Sequence, residues 1–333
     1  MSIQKEHIGH YFMFSCRIKD RNNFVFVLEE PMEMPDPFEL REFRVLQYQG
    51  DNVQDPNNWA SRRIGKDTKL FHDWVTKPSQ NWLFTTYWGS VLHTGENVMN
   101  KEDFDYGLEE DIPPYPGMST TVLSTAKVIG GRMYMVSSHR EARRRDGPDT
   151  WTILNNGLPE LSTIKDATHV GFEDIDGFSE TDIYAAGRRG DVWHWNGHRW
   201  EKVPMPTNAD IYGVCCGGDG LVYMSTGVET FVVGRENRWE IIRYGDNKDL
   251  YDVKFRNMVW FKDRVYMGYG STLYEIKDKQ FKPSRLNHLE GKPVDWSCLD
   301  ANDEILLAGS KLEVAVFDGE RFETVIPFEV GGR

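Results

Sequence analysis

A chain of 333 residues, 39% hydrophobic and 13% aromatic, can bury a sizeable core, and its formal net charge of −13 argues against a general binder of nucleic-acid backbone. No apolar stretch is long enough to cross a bilayer, and Met1 to His10 lacks an apolar signal core, which predicts a chain that stays in the cytosol and off membranes. Cys16, Cys215, Cys216 and Cys298 read as reduced, small buried hydrophobes rather than a disulfide framework, and adjacent Cys215 and Cys216 should point to opposite faces of a strand.

Taken in chain order, Tyr11 to Arg17, Phe24 to Leu28, Arg44 to Tyr48 and Trp59 to Ile64 supply four strands of a first unit, interrupted by the proline-rich loop 31–37. Trp82 to Tyr87 and Gly89 to His93 continue the same template, with Phe104 as a weak closing aromatic. The acidic, proline-rich segment 102–116 reads as a surface excursion.

From residue 132 a phrase recurs: a strand with an aliphatic–Tyr pair, a turn, a second strand, a polar turn, then an aromatic. Its clearest copy is Asp182-Ile183-Tyr184-Ala185-Ala186-Gly187, then Val192-Trp193-His194-Trp195, then Asn196-Gly197-His198-Arg199-Trp200. The period-two alternation marks half-buried strands, and Asn196-Gly197 and Asp318-Gly319 supply the positive-φ residues of tight hairpins. The innermost strand of each unit precedes the Tyr-bearing one: Ile211 to Cys215, Tyr251 to Phe255, Trp296 to Leu299. The closing aromatics Trp151, Trp200, Trp239, Phe281 and Phe322 begin outermost strands and should pack between neighbouring sheets.

A repeat of about forty residues built of short strands predicts an all-β, single β-propeller with seven four-stranded blades, six being the alternative if the first region is an accessory sheet. The expected blades are 10–65, 69–112, 119–158, 168–205, 209–244, 249–286 and 293–328, in one domain over 1–333 with very little helix.

Function must then lie in what interrupts the repeat. Glu173, Asp174 and Asp176 concentrate carboxylates on the inner strand of the fourth unit, with Asp174 and Asp176 on one face. Such a cluster suits a hard cation or an acid/base pair in a central funnel, but the remaining ligands of a calcium loop are absent, and a turn in which Asp accepts backbone amides fits better. His194 and His198 have a zinc-like spacing that loses its meaning across a hairpin turn. His139 to Arg145, with Arg140, Arg143, Arg144 and Arg145, is the main basic run and reads either as a clamp for an anionic partner or as a solvated blade edge turned by Asp146-Gly147. Glu109, Glu110 and Asp111 in the acidic excursion, and Trp88 and Trp193 outside the closing positions, complete the candidate partner contacts; Trp195 and Trp260 share that status. No phosphate loop, dinucleotide fingerprint, nucleophile elbow or zincin motif is present, so no cofactor and no local catalytic signature is expected.

Val170-Gly171-Phe172-Glu173-Asp174-Ile175-Asp176-Gly177-Phe178, Asp182 to Gly187, Gly190 to Trp195 and Val214-Cys215-Cys216 resemble bacterial WD-repeat-like β-propeller proteins associated with Rhs-type polymorphic toxins of type VI secretion systems. The resemblance spans His169 to Phe322. It implies an immunity protein that binds a cognate toxin or effector domain and blocks it without chemistry; the overall acidity would suit a basic partner such as a nuclease. Eukaryotic Gly-His and Trp-Asp punctuation is missing. A funnel enzyme or sugar binder using Glu173, Asp174 and Asp176, and a scaffold in a larger complex, are the rival expectations.

Overall fold

The computed structural model describes residues 11–30, 40–53, 55–67, 69–86, 91–94, 99–102, 123–159, 170–244, 250–310 and 313–326. The fold is an all-β, seven-bladed β-propeller. Among the described residues the strands form seven four-stranded sheets, each in simple sequence order with every neighbouring pair antiparallel. Chain packing divides into two compact units, 1–68 with 257–333, and 69–256.

The 69–256 unit holds four sheets. They are β5 (Leu70–Val75) to β8 (Met99–Glu102), β9 (Leu123–Ile129) to β12 (Thr150–Ile153), β13 (Phe172–Ser179) to β16 (Trp200–Lys202), and β17 (Ile211–Cys216) to β20 (Arg238–Arg243). The first strand of each sheet packs beside the first strand of the next. The core lies between sheets. Ile129, Tyr134 and Ala142 of the second sheet meet Phe172, Ile175, Ile183 and Trp200 of the third. Tyr184 and Val192 of the third meet Val214, Val222 and Met224 of the fourth.

This sandwiching changes one expectation. The second strands are buried on both faces: Ile183, Tyr184, Ala185, Ala186 and Gly187 are all buried, as are Val222 to Thr226. The outermost strand β20 stays largely exposed, with only Trp239 and Ile242 half-buried. Trp151, Trp200, Trp239 and Phe322 do pack between sheets, whereas Phe281 stacks on Tyr274 of its own sheet. Trp200 is buried, stacks near Phe172 and Trp195, and donates its indole N–H to Leu154 O at 2.5 Å. Trp239 meets Tyr184 edge-on across the next interface.

The other unit holds three sheets: β1 (Phe12–Asp20) to β4 (Trp59–Asp67), β21 (Met258–Phe261) to β24 (Gln280–Pro283), and β25 (Cys298–Ala301) to β28 (Phe322–Ile326). The sheet from the chain's beginning packs on the sheet from its end. Cys16, Phe24, Phe26 and Tyr48 share one core with Cys298, Ile305, Val314 and Val325. No strand is exchanged between the two; Ile18 N–H reaches Asp300 Oδ2 at 2.7 Å instead.

Tyr251 to Phe255 is not a strand. Val253 and Phe255 are buried while Lys254 is exposed, so the alternation is real, but Asp252 adopts φ 61° and Phe255 O accepts from the Ser225 hydroxyl at 2.5 Å rather than from a ladder. The inner strand of that sheet begins only at Met258. The loops 31–37 and 103–116, with Phe104, lie outside the described residues. Among the described residues helix is confined to short 3-10 turns such as Arg188–Gly190 and Arg285–His288, and no helix is long and apolar enough to cross a membrane.

Candidate functional site

The 173–176 carboxylates sit in strand β13, not in a turn, and they divide by role. Asp174 Oδ2 accepts Val214 N–H at 2.7 Å and Lys127 Nζ at 2.8 Å; Lys127 Nζ also reaches Val214 O at 3.0 Å. Asp176 accepts Gly177 N–H on Oδ1 and Cys216 N–H on Oδ2, both at 2.8 Å. Val214 and Cys216 are two apart on β17, so the shared face predicted for Asp174 and Asp176 matches the pleat of the next sheet. Burial drives the Asp176 carboxyl above its usual range, against the pull of Lys127 and the two amides. Burial would lower Lys127, but Asp174 and Asp176 outweigh it and hold the ammonium charged.

The same device recurs at residues the sequence reading passed over. Asp73 accepts Trp74 N–H at 2.8 Å and Val128 N–H, on the next sheet's first strand, at 3.0 Å. Asp300 does the same for Ile18 within the other unit. An Asp recurring at a matching place on the inner strands (His72-Asp73, Ile175-Asp176, Leu299-Asp300) was the signal available. These carboxylates brace sheet to sheet.

Glu173 is different. A break in register between Phe172 and Asp174 makes it a bulge residue, and an equivalent break between Ile211 and Gly213 does so for Tyr212 on β17. Bulges re-aim side chains, and here both turn toward one cationic cluster. Glu173 Oε2 lies 3.1 Å from Arg256 and Oε1 lies 3.5 Å from Arg188. Arg256 and Lys254 both stand over the Tyr212 ring, at 4.8 and 5.2 Å from its centroid. Lys69 joins them: burial first, and then the Arg256 charge, pull its ammonium down to about 8, with Glu173 and Asp174 opposing. His139 nearby is likewise lowered, by burial and by Arg188. None of Lys69, Arg188, Tyr212, Lys254 or Arg256 was singled out from sequence, because they come from separate sheets and share no local motif.

The basic run is committed internally. Arg140 grips Asp191 through Nε at 2.6 Å and Nη2 at 2.9 Å, while Trp193 Nε1 and Lys202 Nζ bond the same carboxylate at 2.9 and 2.6 Å. These bonds hold Asp191 below its usual range although burial alone would raise it. Arg143 pairs with Glu141, Arg144 with Asp146 at 2.7 Å, and Arg145 is fully buried. The run is therefore strand β11 (Ala142–Gly147) and its approach, not a solvated edge, because each guanidinium faces a carboxylate or the core. Trp193 and Trp195 are buried as well. Trp88, Glu109, Glu110 and Asp111 lie outside the described residues. His194 bonds Asp182 at 2.8 Å and His198 lies in the hairpin turn; among the described residues no three His, Cys, Asp or Glu side chains converge as a metal site would need.

No protein-family model matches the chain. In sequence it is homologous to the immune protein Tsi7 of Pseudomonas aeruginosa strain PAO1, with 28% identity over 252 residues that cover 75% of this chain and 78% of that one. In structure it is similar to the WD40 β-propeller domain of Doa1, with a TM-score of 0.59 and 11% identity over 94% of this chain and 95% of that one. Sqt1 of Saccharomyces cerevisiae matches with a TM-score of 0.56 and 9% identity over 96% of this chain and 85% of its own. The structural likenesses bear on fold alone.

Proposed function

We propose that this protein is a cytoplasmic immunity protein of the type VI secretion setting, which binds a cognate toxin or effector domain and silences it by covering its working surface. The observation that carries this is the homology to an immune protein across three-quarters of the chain. Supporting it, Asp174 and Asp176, two of the three carboxylates on which a funnel enzyme would rest, are engaged with backbone amides and Lys127 in holding sheets together. A propeller suits occlusion because rigid sheets present fixed loops, so little ordering is lost on docking.

The test is co-expression with the toxin encoded beside it. A stable complex on pull-down, together with rescue of cells from intoxication, is the expected result. Toxicity undiminished by the protein, with no complex recovered, sinks the proposal. Rescue by sub-stoichiometric protein, with the toxin chemically altered, would favour an enzyme instead.

A further inference from the structure

The chain is strongly acidic, yet the bulged residues Glu173 and Tyr212 gather cations at one place on the 69–256 unit. Tyr212 holds Lys254 and Arg256 over its ring, and both cations remain open to solvent, at 40% and 53% exposed. Apolar surface lies beside them. Tyr251, three residues before Lys254, is 79% exposed, the most open of the large hydrophobic side chains among the described residues. Val228 is 56% exposed on the hairpin whose Gly227 packs so close to Tyr212 that an added Cβ would sit 2.8 Å from its Cε2. The Gly227 backbone thus packs against the ring edge, while Arg256 and Lys254, the latter 3.8 Å from the exposed Asp252 carboxylate, lie over the ring.

We infer that the surface formed by Tyr212, Val228, Tyr251, Lys254 and Arg256 docks an acidic segment of the toxin, whose carboxylates meet Arg256 and Lys254 while an apolar neighbour covers Tyr251. This rests on the toxin-binding reading and adds to it the contact face and the partner's chemistry. Charge complementarity selects the occupant. Glu173 already draws Arg256 toward its Oε2, so the guanidinium is pre-positioned with donors left over, since it carries five N–H groups and Glu173 takes one of them at 3.1 Å. Exposed Arg and Tyr around a fixed ring are also the side chains that dominate binding energy at protein interfaces. The one-residue break recurs on other inner strands, at Phe14 of β1 and Ser124 of β9, so bulging belongs to the repeat; what distinguishes Glu173 and Tyr212 is that both meet Arg256. The net charge of −13 still acts at long range on a partner of mixed charge, whereas the contact itself is decided at hydrogen-bond distance.

The experiment measures affinity for the toxin by calorimetry at two salt concentrations, for the wild type, Lys254→Glu, Arg256→Glu, the double reversal, and Tyr251→Ala. All three positions are solvent-exposed, and thermal melting confirms that each variant is folded. Each reversal is expected to weaken binding about tenfold or more and the double about a hundredfold or more, with a flatter salt dependence, and Tyr251→Ala about tenfold. Reversals that bind as tightly as wild type overturn the inference while leaving toxin binding intact. Wild-type protein that fails to bind the toxin instead removes the proposed function on which the inference rests. A 20-base-pair DNA duplex serves as the competing probe: binding that the reversals abolish would assign the face to nucleic acid and overturn the protein-segment assignment.

Discussion

Asp174 Oδ2 accepts the backbone N–H of Val214 at 2.7 Å and so ties the first strand of one sheet to the first strand of the next. The same oxygen takes Lys127 from the preceding sheet, so three consecutive sheets meet at one carboxylate. Asp73 and Asp300 repeat the tie elsewhere. Among the described residues no strand ladder joins neighbouring sheets, and these side chains add directional bonds between blades to loop backbone bonds such as Thr76 N–H to Gly131 O at 2.9 Å and Trp200 N–H to Asn156 O at 2.8 Å.

Removing that oxygen strands a half-buried ammonium and a buried amide together. Asp174→Ala is expected to cost about 3–5 kcal/mol, the range for breaking a buried ion pair on one side. Asp174→Asn keeps an acceptor and should lose less. Urea unfolding of the two variants against wild type checks the order; an alanine variant within 1 kcal/mol or so of wild type would contradict the bracing role.

Asp191 predicts an acid dependence. Its folded pKa lies below that of the unfolded chain because Arg140, Lys202 and Trp193 outweigh burial. Its stabilisation is therefore fully present above the unfolded value of about 3.9 and is lost as pH falls through the lower folded value. Asp191→Asn should be less stable than wild type at pH 7, and the gap should narrow as pH drops below about 4. Melting temperatures recorded from pH 7 to 3 decide it; a gap that stays constant with pH would show that the charge plays no part.

Gly171 sets a steric limit. Its φ is +135°, and a Cβ there would fall 1.8 Å from Ser138 O on the neighbouring sheet. Gly171→Ala is therefore expected to cost at least about 3 kcal/mol, since backbone strain and a backbone clash act together. Gly65, also at positive φ but with nothing within 4 Å, is the control and should tolerate alanine better. Equal losses at the two positions would mean that the close approach does not matter.

The thiols should be silent in the folded protein. Cys16, Cys215 and Cys298 are buried, and burial pushes Cys16, Cys215 and Cys216 above the ordinary thiol range. With Ellman's reagent at pH 8, the native protein is expected to react slowly if at all, with any early reaction at Cys216, and all four cysteines to react once guanidinium unfolds it. Fast native labelling of more than one thiol would contradict this burial.

The repeat and the strand order were legible along the chain because hairpins are local. An Asn196-Gly197 turn, a Tyr-bearing strand and a closing Trp200 each act within one sheet. The carboxylate pair at Asp174 and Asp176 was legible as a pair, since strand alternation puts both on one face. Its partners were not, because Val214 and Cys216 belong to another sheet. The basic run misled for the same reason: Arg140 looks free along the sequence, and only folding brings Asp191 to it.

Sequence alone therefore determined the all-β class, seven units and the positions of their turns, since these follow from periodicity and positive-φ residues acting over a few neighbours. Tertiary structure alone decided which charges are spoken for and which face outward. It turned Arg140 to Arg145 inward and gathered Lys254 and Arg256 over Tyr212, which bulged from a different strand. Electrostatic pairing depends on distance through space, and in a propeller a charge's partner can lie on the next sheet, as Asp191 does for Arg140.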